Sequence, residues 1–374
     1  MNNSSGRGRG RGGGGGRSSN SDGRGGGGGR GGGGGGGRGP PPQGRGGGRG
    51  GGGGARGPGR GASRDDRKAF RRQKQSDAMN KKAQDEDTYF RSCQKEASNG
   101  KHLDNWKDST SKKRETELFG KQIVKGINFD KYNDIQVQVK LPESQNGGEV
   151  KLMEDFSKLE HLTAQLQQNI HSMKYTSPTP IQKNAIPYAM AGHDLMCCAQ
   201  TGSGKTCSFL LPVIASLVGR QQANTTTSTN TNGGNNSNSL EPAKPKCVVL
   251  APTRELAIQI QLESEKLTHA IPSIQPVVVY GGANARGQLK ELAYASAHAA
   301  HNTNVVDLLV VATPGRLTDF VDRNLVSLSD VQYLVLDEAD RCLVSTLHDA
   351  ERGDIIESLY PVVPFLSFRV CFYF

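Results

Sequence analysis

The sequence predicts an α/β domain built on a parallel sheet, preceded by a long segment that cannot pack. Three observations lead there. Short apolar runs at residues 195–198, 247–250, 276–279, 308–311 and 333–336 read as buried strands. Longer helical patterns, such as 205–217 and 255–267, separate them, and strands alternating with helices imply βαβ units with both sheet faces covered. Of the 50 glycines, 34 fall in residues 1–62, where no apolar periodicity exists.

Residues 1–62 form an Arg-Gly tail, as in Gly6-Arg7-Gly8-Arg9-Gly10-Arg11, broken by Pro40-Pro41-Pro42. Disorder is expected, because glycine maximises backbone freedom and nothing apolar offsets its ordering. The tail holds 11 arginines, no lysine and one acid, Asp22, so it carries +10 of the formal net charge of +11. The remaining 312 residues are therefore near neutral at +1. Arginine offers charge and planar stacking together, which suits loose, salt-sensitive binding of single-stranded RNA or ribonucleoprotein components. A solubilising linker is the plainer reading.

Residues 63–125 read as a charged linker, dense in both signs, as in Arg64-Asp65-Asp66-Arg67-Lys68. Its apolar handles are Tyr89-Phe90, Trp106 and Leu118-Phe119. These could dock on a folded surface, although isolated aromatics in such company more often do nothing measurable. Residues 126–374 make the folded domain. A Thr-, Gly-, Asn- and Ser-rich tract at 221–246 is expected to be a surface insertion without structure.

Seven cysteines, at 93, 197, 198, 207, 247, 342 and 371, include no C-x-x-C pair, and no apolar leader follows Met1. Free thiols in a reducing compartment are expected, with Cys207 a packed thiol and no nucleophile. His298 and His301 lack a third ligand for a metal. No apolar run approaches the ~20 residues a membrane helix requires. A soluble cytoplasmic protein is expected, compatible with ribonucleoprotein granules or nuclear shuttling.

Two motifs carry chemistry. Ala199-Gln200-Thr201-Gly202-Ser203-Gly204-Lys205-Thr206 follows a strand and opens a helix. There the glycines let backbone N–H groups turn toward a β-phosphate, Lys205 reaches the β- and γ-phosphates, and the Thr206 hydroxyl suits Mg²⁺. Farther along, Val335-Leu336-Asp337-Glu338-Ala339-Asp340 ends an apolar strand in three carboxylates. At the C-terminal edge of a parallel sheet, Asp337 could hold Mg²⁺ through its water shell and Glu338 could polarise an attacking water.

In this order the motifs resemble the DEAD-box family of ATP-dependent RNA helicases, whose namesake is Asp337-Glu338-Ala339-Asp340. The resemblance covers roughly residues 126–343 and implies a RecA-like domain, ATP and Mg²⁺ as cofactors, and single-stranded or short duplex RNA as partner. Tyr175-Thr176-Ser177-Pro178-Thr179-Pro180-Ile181-Gln182 is similar to the family's adenine-reading motif, with Tyr175 to stack on the base and Gln182 to donate and accept at its edge. Phe156 occupies the place of the family's isolated upstream aromatic. Pro252, Thr253 and Arg254, then Gly281 and Gly282, then Thr313, Pro314, Gly315 and Arg316 resemble the RNA-contacting motifs. Each such motif follows a predicted strand, where backbone N–H groups, hydroxyls and arginines can hold successive phosphates. Glu117-Leu118-Phe119-Gly120 with Gly126-Ile127-Asn128-Phe129-Asp130-Lys131-Tyr132 looks like the lead-in of Vasa-type helicases and their translation-initiation relatives.

The match fades after Leu343, where the chain reads Val344-Ser345-Thr346-Leu347. The family's Ser-Ala-Thr motif and its second RecA-like domain, which supplies an arginine finger, are not found. Residues 344–374 are thus an atypical segment. Residues 369–374, rich in strand-favouring aromatics, are expected to fill the sheet slot between the strands of the two ATP motifs. A misread frame whose last residues have no native role is the alternative. The expected function is ATP-dependent RNA helicase action, here as its N-terminal half. The rival is a catalytically deficient RNA- and ATP-binding fragment or dominant-negative module.

Overall fold

A computed structural model describes residues 63–99, 112–120, 136–140, 150–159, 162–227, 241–301, 306–342 and, as backbone, 368–373. The Arg-Gly tail, Trp106, residues 126–132, the side chains of 221–227 and of 298–301 (His298 and His301 included) and residues 343–367 lie outside what it describes.

The helices in chain order are α1 (Arg64–Ser98), α2 (Lys112–Phe119), α3 (Ala164–Ser172), α4 (Pro180–Met190), α5 (Lys205–Thr227), α6 (Arg254–Leu267), α7 (Ala285–His301) and α8 (Pro314–Asp322). The strands are β1 (Leu195–Cys198), β2 (Cys247–Leu250), β3 (Ile274–Val279), β4 (Asp307–Ala312), β5 (Tyr333–Leu336) and β6 (Phe368–Tyr373). They form one parallel sheet in the order β1-β6-β5-β2-β4-β3. All five strands read from the sequence are present, and β6 occupies the slot between β1 and β5.

Strands β2 to β5 are covered on both faces, whereas β1 exposes Met196 and Cys198 on one face, and the period-two alternation of strand side chains sorts the buried ones between two cores. Val249, Leu309, Val311, Tyr333 and Val335 pack with Leu166, Ile186, Phe209 and Leu267 of α3 to α6. Val248, Leu250, Leu308, Val310 and Leu334 pack with Phe90, Leu289, Leu317 and Phe320 of α1, α7 and α8.

Two expectations are corrected. The stretch taken as a charged linker contains α1, a helix of 35 residues opened by a capping box between Ser63 and Asp66. Its C-terminal part buries Glu86, Phe90, Cys93, Gln94 and Ala97 on the domain, a stripe at helical spacing too sparse to stand out among so many charges. The Gln94 amide donates to the Glu241 carbonyl at 2.9 Å. Arg323, after α8, donates to Asp87 (Nε, 2.9 Å), Glu86 (3.1 Å) and the Ala83 carbonyl (3.1 Å). Of the other handles, Leu118 is buried and Phe119 meets His269 edge-on at 5.5 Å.

The insertion is also shorter than 221–246. Helix α5 runs on to Thr227, and Ala243, fully buried, bridges to Val326 before β2 begins. A helix already propagating needs no apolar face to extend by a few turns.

Arg323→Ala would leave the buried Glu86 and half-buried Asp87 carboxylates without their shared cation. The expected result is a loss of about 1–3 kcal/mol in α1 docking. Hydrogen exchange should then lose protection across residues 83–98 while β2 and β4 keep theirs.

Candidate nucleotide and RNA site

Because every strand is parallel, the loops after β1, β2, β3, β4 and β5 all emerge at one edge of the sheet. The site is built there.

The loop after β1 is shaped by Gly202 (φ +75°) and Gly204 (φ +89°), left-handed conformations that favour glycine. A Cβ on Gly204 would also lie 2.5 Å from Gln182 Nε2. Lys205, buried at the first turn of α5, donates to the Ala199 carbonyl at 2.8 Å, so its ammonium folds over the loop. Ser203 is buried with its Oγ unpartnered, and Thr206 is half-buried on the same turn.

The loop after β5 brings Asp337 against this cradle. Asp337 is 4 % exposed, and burial pushes its carboxyl up to about 6. The nearby Lys205 ammonium opposes that rise, while the adjoining Glu338 carboxylate adds to it. A buried carboxylate short of positive charge, a threonine hydroxyl and an orphaned serine oxygen make a hard oxygen set that fits Mg²⁺. Glu338 holds a left-handed φ of +49°, strained for a side chain of this kind, and its Oε2 accepts from Arg341 at 3.2 Å. Among the described residues no cluster of His, Cys, Asp and Glu large enough for another metal occurs.

Gln182 has a local role that its functional reading hid. Thr179-Pro180-Ile181-Gln182 opens α4 with proline at the first turn, and Gln182 Oε1 accepts from the Thr179 N–H at 2.9 Å. Its Nε2 donates to the Gly204 carbonyl at 3.1 Å, tying α4 to the phosphate loop. One lone pair and one N–H remain for a ligand. Tyr175 and Phe156 stack on each other (6.0 Å, 23°), and the Tyr175 hydroxyl donates to Glu263 at 3.3 Å. Phe156 is buried, so Tyr175, half-buried, is the more accessible of the two rings. Burial raises the Tyr175 phenol and the Cys207 thiol well above their ordinary values, which leaves Cys207 an inert core group.

The other loops line the same edge. Thr253 caps α6, accepting from the Leu256 N–H at 3.3 Å, with Pro252 half-buried before it and Arg254 exposed after it. Gly282 has φ +77°, and the Gly281 N–H donates to Thr313 Oγ1 at 3.3 Å, joining two loops. Pro314 is buried at the start of α8, Gly315 is exposed, and the Arg316 guanidinium sits 5.5 Å from the Phe320 ring centroid.

The family model described as DEAD/DEAH box helicase matches residues 179–367, just over half of the chain. The chain belongs to this family. Solved structures similar to this helicase chain include the RNA helicase Prp28 from Chaetomium thermophilum bound to ADP, at 30 % identity and a TM-score of 0.44, covering 61 % of this chain and 47 % of that one. A DEAD box protein from the hyperthermophile Methanococcus jannaschii gives 26 % and 0.41, covering 59 % and 50 %. A hypothetical ATP-dependent RNA helicase from Sulfolobus tokodaii gives 22 % and 0.40, covering 57 % and 50 %. The chain thus spans about half the length of these proteins. Its described strands form one parallel sheet in an α/β fold, and none of its described helices is long and apolar enough to cross a membrane.

Two outcomes test the helicase cradle. The Asp337 carboxyl rises from 3.8 to about 6 on folding, so its protonated form is favoured and stability falls as pH climbs through that window. Urea titrations of the nucleotide-free protein should show about 3 kcal/mol of this fall removed in Asp337→Asn. Gly204→Ala adds a methyl to a crowded, left-handed position, and affinity for a fluorescent ADP analogue should drop by about 5- to 150-fold, the ~1–3 kcal/mol such strain costs.

Proposed function

We propose that this chain binds ATP with Mg²⁺ and a single RNA strand at the one sheet edge, and hydrolyses ATP in response to RNA as part of local duplex unwinding. The observation that carries this reading is the meeting of Lys205 with the buried Asp337 beneath the phosphate loop. Lys205, on leaving the Ala199 carbonyl, would take the β- and γ-phosphates. Thr206 and Asp337 would hold Mg²⁺, which offsets the phosphate charge when bound. Glu338, fixed by its turn and by Arg341, would orient the attacking water and accept its proton. Tyr175 and the spare donor and acceptor of Gln182 would select adenine.

On the RNA side, Thr253, Arg254, Gly281, Gly282, Thr313 and Arg316 would hold consecutive phosphates without reading bases. The lead-in at Glu117-Leu118-Phe119-Gly120 supports a Vasa-type or translation-initiation assignment. Full activity in this reading needs a second RecA-like domain with its arginine finger, a group that contributes ~10³-fold or more in phosphoryl transfer. A binding module without turnover is the second reading. It is favoured by the Arg341 guanidinium already occupying one Glu338 oxygen.

Phosphate release by the chain, with and without RNA, compared with Glu338→Gln separates the two. Catalysis predicts slow, RNA-stimulated turnover that falls by about 10²-fold in the variant while ATP affinity persists. Equal rates in the two proteins would refute it.

A further inference from the structure

Tyr175, the ring proposed to stack on adenine, is held from three directions. Its backbone N–H donates to the Ile170 carbonyl at 3.3 Å, just after Lys174 turns the chain with a left-handed φ of +59°. Phe156 covers one ring face (6.0 Å, 23°), so a base can stack only on the other. The hydroxyl, at the far end of the ring, donates to Glu263 Oε2 of α6 at 3.3 Å. Packing alone would be served by phenylalanine, as at Phe156; the hydroxyl adds the tie to Glu263.

Glu263 is itself fixed. Its other oxygen, Oε1, accepts from the Lys266 ammonium at 2.6 Å, and the two side chains are only 22 % and 8 % exposed. Charges this deep are costly alone, so neither can swing away without stranding the other. With its cation held, the carboxylate presents Oε2 to Tyr175 from one place. The network lies against the nucleotide cradle. Burial chiefly raises the Cys207 thiol, one residue past Thr206, and the charge of Glu263 adds to that rise.

We propose that Glu263 is a positioning residue for adenine: through the Tyr175 hydroxyl it holds the ring at the tilt on which a base stacks, and Lys266 holds Glu263 in turn. The inference rests on the stacking role proposed for Tyr175. An untethered ring would give up rotamer freedom each time a base stacked on it, and the tether removes that loss before the ligand arrives. The effect belongs to the base and leaves phosphate binding untouched.

The test uses the full chain with Mg²⁺ and two probes, an ADP analogue with a fluorescent label on the ribose and inorganic pyrophosphate competing with it. Tyr175→Phe keeps the ring and leaves the Glu263–Lys266 pair intact. It should weaken the ADP analogue about fivefold, the size of one hydrogen bond, with pyrophosphate affinity unchanged. Glu263→Gln, whose amide oxygen still accepts from the hydroxyl, should stay within about twofold of the unmodified chain. Glu263→Leu/Lys266→Met, which removes the buried pair whole, should match Tyr175→Phe, and combining all three changes should cost nothing more. Unchanged ADP affinity in Tyr175→Phe, an equal loss in Glu263→Gln, or pyrophosphate weakened in step with ADP would overturn the proposal. Tyr175→Ala with ADP binding unchanged would instead refute the stacking reading, and the positioning role with it.

Discussion

Parallel pairing is the constraint on which this molecule rests. A parallel sheet must bury both faces, so its strands carry apolar side chains on both sides, and only loops at the strand ends are left for polar work. With every strand running one way, five of those loops share one edge. The glycine loop after β1, the acidic turn after β5 and the loops after β2, β3 and β4, spread over more than a hundred residues, become neighbours without any of them having to reach. The joins between loops are correspondingly short: Gln182 to Gly204, Gly281 to Thr313, and Lys205 beside Asp337.

Those strands were legible because burial leaves a compositional mark. Cys247–Leu250 and Asp307–Ala312 are buried throughout, and a continuous apolar run is what such a strand must look like. The glycine loop and the Asp-Glu-Ala-Asp turn were legible because few residue types suit their geometry. Helix α1 was not, since five buried positions in 35 residues leave a pattern drowned by charge, and its docking depends on Arg323, more than two hundred residues away. The tie from Gln182 to Gly204 was hidden for another reason. The capping-box pattern around Thr179 could have revealed the local bond, but no spacing rule reports a contact to a loop 22 residues later. Likewise, nothing in the identity of Glu338 announces a left-handed backbone.

The site is stocked with features that oppose folding. Asp337 is a carboxylate buried with one opposing ammonium, Ser203 has a buried hydroxyl without a partner, and Glu338 is strained. Each is costly to bury or hold on its own, and each would be relieved by the ligands of the proposed function: phosphate oxygens, a divalent cation and an ordered water. The surrounding cores, with their fully buried Phe209, Leu210, Ile214 and Phe320, are what hold these groups in place.

The place of β6 has a consequence for how the molecule is made. Among the described strands, β1, which leads into the glycine loop, pairs only with β6, with Leu195 beside Val370. On a ribosome, β2 to β5 can pair as they emerge, but β1 must wait for β6, whose residues 368–373 follow it after all of them. Such non-local closure is slow, and the interval exposes an unpaired strand edge to chaperones and to aggregation. The strand that leads into the glycine loop is therefore translated before β2 to β5 and paired after them.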